Sequence, residues 1–543
     1  MNKQNNHIFP KLTKRQIKYL TPCGSIVNFE KEDIIIKQGE QNYDLYVVLE
    51  GEIDILDPYD NNKFITCHRA GEFTGDSDML SDRAAMFRAM AKTRVKALRI
   101  AHNELKKILA RNSELNDIFI KAFFLRRVDI LERHEGGYTL VGSRFSQSTF
   151  RIREFLSKNY IRYTWLDTEK DQASEDILLR LGISQKETPI VIDPDLNVNR
   201  NPSLEEIAKH IGLSAKEVQN RYDVLIVGAG PSGLAASVYG ASEGLSVITI
   251  DQIGPGGQAG NSSLIENYLG FPTGISGNEL ANRAYLQAQK FGCTISVPFR
   301  AKELIHHGHY FELLLSNGKA IKASTVIAAT GAQYRTLNIP GIKDFHGKGL
   351  YYGATPMEAR TCKDENVVVV GGGNSAGQAA LFLANHAAHV HLIIRGEDLN
   401  KSMSSYLINR IVDNSKITLH TKKELKKIEG NRTIEKIQLY NHKTEKDEAM
   451  HIAHVFSFIG ATPSNKWIAK LVCTDKDGFV LTGNELNATS IENWPLNRNP
   501  FPLETCIPGL FVVGDLRSGS TKRVASAVGE GSMAISYVHQ VLP

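Results

Sequence analysis

Two glycine-rich turns, each leaving a short apolar run and entering an Ala- and Leu-rich helical pattern, constrain this chain more than anything else in it. The first is Gly228-Ala229-Gly230-Pro231-Ser232-Gly233, after the run 222–227. Its spacing gives each glycine its own role. Gly228 permits the tight turn, Gly230 lets backbone approach a pyrophosphate, and Gly233 lets helix pack on strand. Pro231 and Ser232 lie where the exposed amides of a helix N-terminus hold phosphates. The next apolar run, 245–250, ends in Asp251-Gln252. An acid about 20 positions on is where the fold places its acceptor for a ribose 2′-hydroxyl. Strand, helix and acid in this order predict dinucleotide binding rather than an ordinary Gly-rich turn.

The second turn, Gly371-Gly372-Gly373-Asn374-Ser375-Ala376, follows the run 366–370 and leads into a helical pattern to about 386. Ala376 replaces the third glycine, a permitted variant. The next strand pattern, 390–394, ends in Arg395 instead of an acid. An Arg there accommodates a 2′-phosphate, which favours NADPH and leaves NADH open. Two such units predict hydride transfer between a nicotinamide and a flavin. A further strand pattern, 506–513, runs into Gly514-Asp515, and a helix is expected from about 522. Strand-and-turn signals at 325–331, ending in Thr330-Gly331, and at 455–460, ending in Gly460, mark where the second unit interrupts the first.

From about residue 220 onward the chain resembles the low-molecular-weight thioredoxin reductases, flavoproteins of the class II pyridine nucleotide-disulfide oxidoreductases. The resemblance rests on both fingerprints, Gly256-Gly257-Gln258, Glu266-Asn267-Tyr268, Thr330-Gly331, Gly514-Asp515 and Arg523-Val524-Ala525. It implies FAD between the first fingerprint and Gly514-Asp515, with Asp251 and Asp515 as polar anchors. It implies contacts of Gly257, Gln258 and Asn267 to the flavin, Arg523, Val524 and Ala525 along its ring, and a homodimer. That family carries Cys-Ala-Thr-Cys just before its nicotinamide-binding strand. Here the residues are Gly353-Ala354-Thr355-Pro356. Thiol–disulfide exchange needs a thiolate attacking a sulfur, and neither Gly353 nor Pro356 has one. None of the six cysteines forms a C-x-x-C pair. Cys362 follows closely; a redox thiol and a small buried hydrophobe are both readings of it, and the second is preferred. No catalytic residue and no metal ligand is assigned.

A chain of 543 residues suggests about three to four domains. Residues 24–100 read as short β-runs (34–36, 45–49, 53–56, 63–67 and 95–100), a roll or sandwich, followed by a helical stretch over about 103–132. This part resembles the cyclic-nucleotide-binding domain. Gly71-Glu72-Phe73-Thr74-Gly75-Asp76 resembles the start of its phosphate cassette, but the family's Arg is replaced by Ala85 and Met86. Arg83 and Arg88 are out of register. An anion needs a fixed donor fork, so a degenerate sensory or packing domain is expected, with weak or no cyclic-nucleotide binding. Residues 138–213 resemble the glutaredoxin and thioredoxin fold: strands 138–141, 163–166 and 190–192, a helix over about 150–159, and Thr188-Pro189 at the expected cis peptide. Its C-x-x-C register reads Ser146-Gln147-Ser148-Thr149, which suits a helix N-cap. A linker joins it near 213–221.

The expected fold class is multidomain α/β with an N-terminal β-roll (1–135), a thioredoxin-like α/β domain without C-x-x-C (138–213), and two Rossmann-like units. The FAD-binding domain comprises 220–338 and 463–543, and the NAD(P)-binding domain, inserted in it, 339–462. The N-terminus lacks a signal-peptide core, no apolar stretch reaches the ~18 residues of a membrane span, and scattered cysteines fit a reducing cytoplasm. A net charge of +5 without a basic cluster supports neither a nucleic-acid nor a membrane partner. The leading expectation is an FAD-dependent NAD(P)H oxidoreductase passing electrons to an external acceptor: a protein, a quinone or a small molecule. The alternatives are a thioredoxin-disulfide reductase using Cys362 or partner cysteines, and a redox-sensing regulatory protein that binds FAD and dinucleotide.

Overall fold

The structure is a computed structural model. It describes residues 8–58, 62–80, 84–132, 137–194, 196–213, 221–262, 264–340, 342–431, 433–487, 492 and 494–542. Arg83 and most of the expected linker at 213–221 lie outside the described residues.

Val-rich runs buried on both faces form the parallel strands that carry the two fingerprints. In the first sheet Tyr222–Val227 lies between Val247–Ile250 and Ala320–Ala328, with Thr294–Ser296 beyond the former. Leu510–Val512 pairs in parallel with Ala320–Ala328, so chain from the far end of the sequence completes this sheet. Phe311–Leu315 and Ala301–His306 extend it antiparallel. The second sheet is parallel throughout, in the order Leu350–Tyr351, His454–Ser457, Asn366–Val370, His389–Ile393, Ile417–His420. A three-stranded antiparallel sheet, Lys423–Glu429, Lys436–Asn441 and Lys446–His451, packs beside it. The chain passes between the two sheets along two short antiparallel strands, Ala332–Tyr334 and Ala461–Pro463. This is a two-Rossmann-domain α/β arrangement behind a β-rich N-terminal part.

The N-terminal part has two antiparallel sheets, Ser25–Phe29, Val95–Ile100 and Leu45–Glu50 against Ile34–Ile36, Arg88–Ala91, Glu52–Asp57 and Lys63–Arg69. Their inward side chains form one core with the helices that follow. The helical stretch expected over 103–132 is two helices, His102–Arg111 and Ser113–Glu132. Asn112 leaves helical geometry at ψ 101°, and its side-chain oxygen accepts from Leu115 N at 3.0 Å, so an Asn cap restarts the helix.

The next sheet runs Val198–Arg200, Ile190–Ile192, Tyr138–Val141, Tyr163–Leu166, the last pair parallel and the others antiparallel. The helix expected from about 150 spans Gln147–Lys158 because Ser146 caps it, accepting from Thr149 N at 3.3 Å. The Thr188-Pro189 peptide is cis. Another boundary differs: the strand expected over 506–513 is only Leu510–Val512. Pro508 offers no amide to a ladder, and Gly509 turns the chain at φ 77°.

Candidate functional site

At the first fingerprint the three glycines are where the geometry needs them. Gly228 has φ 108°, and a Cβ there would lie 2.4 Å from Ala329 O. A Cβ on Gly233 would lie 1.8 Å from Gly228 O, whereas Gly230 has nothing nearer than Gly257 Cα at 3.8 Å. Helix Pro231–Ser242 starts here with Pro in its first turn, so its leading amides face this bare backbone. Gly514, at φ 68°, approaches the same turn, and its Cβ would meet Ser232 Oγ at 2.4 Å. Gly514 thus closes on Ser232 beside Gly230, but its own N–H donates to Glu530 Oε2 at 2.6 Å, so the amides at the start of helix Pro231–Ser242 are what this turn offers a pyrophosphate. Asp251 does more than was expected of it. Its carboxylate accepts from Ala229 N, Ile253 N and Gly254 N at 2.9–3.0 Å, tying strand end, turn and following loop together. Three of its roughly four lone-pair positions are thereby used, which leaves about one for a ribose hydroxyl.

Other predicted residues are partly committed within the chain. Gln258 donates from Nε2 to Ala332 O, and Thr330 donates from Oγ1 to Ser464 O at 2.8 Å, holding the crossover strands to the first sheet. Gln252 and Asn267 are exposed. Arg523 caps helix Val524–Val541, which lies on helix Pro231–Ser242 through Gly531. Burial raises the Asp515 carboxyl above the usual range, and Lys522, which donates to Asp515 O at 2.8 Å, opposes that rise.

At the second fingerprint Gly371 has φ 140°, and a Cβ there would lie 2.4 Å from Phe458 O. Gly373 faces only Ser402 O, at 3.9 Å. Asn374 accepts from Ser404 N at 2.7 Å and Ser402 donates to Gly372 O at 2.8 Å, so the segment after Arg395 folds back beside the turn. Arg395 is exposed past the end of His389–Ile393. Sequence reasoning missed Tyr334. It lies on the crossover, near Ser375 at the start of helix Asn374–Ala384 and within reach of the Asp515 charge. Burial raises its phenol, Ser375 opposes this, and Asp515 adds to the rise. Arg410 and Glu266, 2.6 Å apart, bridge the two units at the rim.

The segment of the missing dithiol follows Leu350–Tyr351. Gly353 sits near Asn261, 3.8 Å from the position of a Cβ, and Pro356 opens helix Pro356–Thr361. Glu358 turns back to cap this helix, accepting from Thr355 N and Oγ1, and burial raises its carboxyl. Cys362 is 0% exposed in the core beneath the second sheet, its thiol donates to Ala359 O at 3.7 Å, and burial pushes it up to about 12. A thiol so held is a packing group, not a thiolate nucleophile.

The module at 138–213 lies against both units. Lys158 Nζ donates to Gly257 O at 3.3 Å, Asn159 Nδ2 to Ile253 O at 2.7 Å, and Tyr160 to Asn278 O at 2.9 Å. Gly254 leaves room for this contact, since a Cβ there would meet Asn159 Nδ2 at 2.8 Å. The Arg144 and Arg153 charges reach Tyr351, and Arg153 also senses Glu358. A buried pair, Arg162 with Asp57 at 2.9 Å, ties the module to the β-roll.

In the β-roll, Asp76 accepts from Tyr43 at 2.7 Å and from Asp78 N at 2.9 Å. Arg126, from the helix Ser113–Glu132, enters the same pocket, donates to Gly75 O at 2.7 Å, and lies over the Phe73 and Phe9 rings. Burial pulls its guanidinium down to about 9 against the opposing charges of Asp76 and Glu72. An arginine at the end of the apolar stretch Ala122-Phe123-Phe124-Leu125 was the available signal.

Two Rossmann units, each with its own fingerprint, define an FAD-dependent NAD(P)H oxidoreductase. Residues 222–531 match the family model of the pyridine nucleotide-disulphide oxidoreductases, and the chain belongs to that family. Residues 26–112 match the cyclic nucleotide-binding domain. The chain is 33% identical over 318 residues to a thioredoxin reductase of Bacillus subtilis (strain 168), covering 58% of this chain and 93% of that protein. It is equally identical over 318 residues to one of Mycoplasma genitalium, covering 58% and 94%. Among solved structures, Lactococcus lactis thioredoxin reductase in its FR conformation matches at 26% identity and a TM-score of 0.53, over 59% of this chain and 98% of that one. The T. acidophilum enzyme matches at 26% and 0.53, over 59% and 99%. No described helix is long and apolar enough to cross a membrane.

Proposed function

We propose that the chain passes electrons from NADPH through FAD to an acceptor outside itself, with no internal dithiol between flavin and acceptor. The observation that carries this reading is the pairing of two intact fingerprints with a Gly353–Pro356 segment that has no sulfur. Bound FAD supplies the hydride acceptor and the outgoing electrons. The chain's own residues bind and orient: the amides at Gly230 and the start of helix Pro231–Ser242 take the flavin's pyrophosphate, Gly514 closes beside them, Asp251 fixes the turn and receives the ribose, and the turn at Gly371 with Arg395 takes the nicotinamide cofactor. Cys362 has no part in electron transfer on this reading, because it is walled into the core.

The module at 138–213 is best read as a thioredoxin-like domain turned into a fixed internal partner. Its strand order, with the Ser146-capped helix after the first strand, supports that reading. Its contacts with Gly257 and Ile253 put it against the flavin-side loop. The β-roll is read as a packing domain, because Arg126 already has Asp76 as its counter-charge. Relatives named thioredoxin reductase point to a protein acceptor, and the absent sulfurs point away from a disulfide relay. Anaerobic stopped-flow mixing with NADPH decides between them. The flavin is expected to bleach, and a quinone or dye to reoxidise it where oxidised thioredoxin does not. A flavin that NADPH leaves oxidised would overturn the reading.

A further inference from the structure

Cys473 and Cys506 lie 33 residues apart in sequence, yet their sulfurs are 3.4 Å apart. Both are free thiols of intermediate exposure. Two independent turns hold them there. Cys473 begins a hairpin closed by Leu481 N to Cys473 O at 2.9 Å and by the Thr474–Val480 bridge, with Asp475 Oδ1 accepting from Asp477 N and Phe479 N at its tip. Cys506 sits in the turn before Leu510–Val512, where Thr505 N donates to Leu510 O at 2.9 Å and Thr505 Oγ1 accepts from Ile507 N at 3.1 Å. The Cys506 thiol itself contacts Leu471 O at 3.4 Å. The sulfurs are therefore presented to each other by ordered backbone.

We infer that Cys473 and Cys506 form a reversible dithiol–disulfide site, oxidised by hydrogen peroxide. A disulfide has an S–S distance of about 2.05 Å, so closure needs a movement of roughly 1.3 Å, within reach of side-chain rotation. Burial and the neighbouring Cys473 push the Cys506 thiol up to about 11, and the chemistry balances with either sulfur attacking first, here taken as Cys473. The Cys473 thiolate attacks one peroxide oxygen, the O–O bond breaks, and hydroxide leaves with a proton from solvent as water. The resulting sulfenic acid is attacked by the Cys506 sulfur; the S–S bond forms, and a second water leaves with the Cys506 proton. Two thiols and one peroxide become one disulfide and two waters.

The pair does not replace the missing sulfurs at Gly353 and Pro356. Cys506 precedes Leu510–Val512, and Gly514 follows that strand, which alone adds about 10 Å between them. The hairpin bearing Cys473 does grip the loop after Gly514-Asp515: Val480 N donates to Leu516 O at 3.1 Å, Ser518 N to Val480 O at 2.8 Å, and Ser518 Oγ to Asp475 Oδ2 at 2.8 Å. The disulfide would join this hairpin to the strand that leads into the same loop.

The test uses the full chain, reduced with dithiothreitol, desalted, and treated with limiting hydrogen peroxide. The six titratable thiols are expected to fall by two, dithiothreitol to restore them, and peptide mapping to recover Cys473 cross-linked to Cys506. Cys473→Ser should abolish the reversible loss of paired thiols, and Cys506→Ala should do the same if the serine variant does not fold. Recovery of both cysteines singly alkylated after peroxide would overturn the inference, as would an unchanged reversible loss in either folded variant.

Discussion

Around Gly230 the nearest atom to a would-be Cβ is 3.8 Å away, and around Gly373 it is 3.9 Å away. The pocket of the β-roll is built the other way. Arg126, Asp76 and His68 fill it, each at most 6% exposed, with Phe9 and Phe73 against the guanidinium. Both regions belong to ligand-binding architectures, and glycine against charge distinguishes them. Glycines clear a path for foreign phosphates and leave amides free to donate. An internal cation held by the Gly75 and Ile8 carbonyls, with the Asp76 and Glu72 charges nearby, makes the desolvation cost part of folding. The reductase-like half is thus built to receive ligands, and the roll is built to be solid.

Filling the cleared side is the strongest way to break this contrast. Gly233→Val would set a Cβ 1.8 Å from Gly228 O, so the turn and helix cannot keep their approach. Flavin is expected to be lost on purification, read as the visible absorbance per chain; full retention would show that this turn does not hold the cofactor. Emptying the filled side comes next. Arg126→Met leaves Asp76 and Glu72 without their buried cation, and removing one partner of such a set costs about 3–5 kcal/mol. Chemical denaturation should show an early transition of the roll while flavin stays bound. A single unshifted transition would show that the cation contributes nothing there.

The same pocket gives a pH dependence. Burial lowers His68 to about 4, first among its causes, and the nearby Glu72 opposes the shift. The folded value lies below the unfolded value of about 6.5. The stabilisation is therefore complete above pH ~6.5 and is lost as pH falls toward 4, reaching roughly 3 kcal/mol at the lower end. Melting of the roll should move down over this window in the wild type and much less in His68→Gln. Equal slopes would assign the effect to other groups. A smaller effect is expected at the second fingerprint. Arg395→Ala should weaken NADPH about tenfold, the size of one exposed charge contact at ~1.4 kcal/mol, and leave NADH unchanged. An unchanged ratio of the two cofactors would remove Arg395 from the site.

What was legible in the sequence follows from the range of each interaction. The fingerprints could be read because strand, turn and helix lie within a dozen residues and each glycine answers to local backbone geometry. The cap at Ser146 could be read for the same reason. The early end of the helix at Asn112 and the late start of the strand at Leu510 were written locally too, in an Asn-Ser step and in Pro508-Gly509, but the apolar pattern across them was the stronger signal. Arg126, Tyr334 and the Lys158–Tyr160 contacts were not legible. Each acts on residues about 40 to 180 positions away, and only the packed fold brings those together. The Cys473–Cys506 approach is the same case, since nothing in a 33-residue spacing marks it.

The smallest expected effect tests the most consequential absence. Cys362 is the cysteine nearest in sequence to Gly353 and Pro356, and a thioredoxin reductase lacking its usual sulfurs would have to route electrons through such a thiol. That role needs exposure, a reachable thiolate and a second sulfur. Cys362 is 0% exposed, its thiol is pushed up to about 12 by burial, and it donates to a carbonyl of its own helix segment. A serine hydroxyl can donate to the same Ala359 carbonyl, so Cys362→Ser should cost about 1 kcal/mol or less in stability. NADPH-dependent reduction of a dye or quinone should match the wild type, because Cys362 is buried in the core and belongs to neither fingerprint. Reduction of thioredoxin or an aromatic disulfide should stay at background in both proteins. Robust disulfide reduction in the wild type, abolished in Cys362→Ser, would mean that the core around Cys362 opens during turnover. The line drawn between a cleared site and a solid one would then have to be redrawn through the second Rossmann unit.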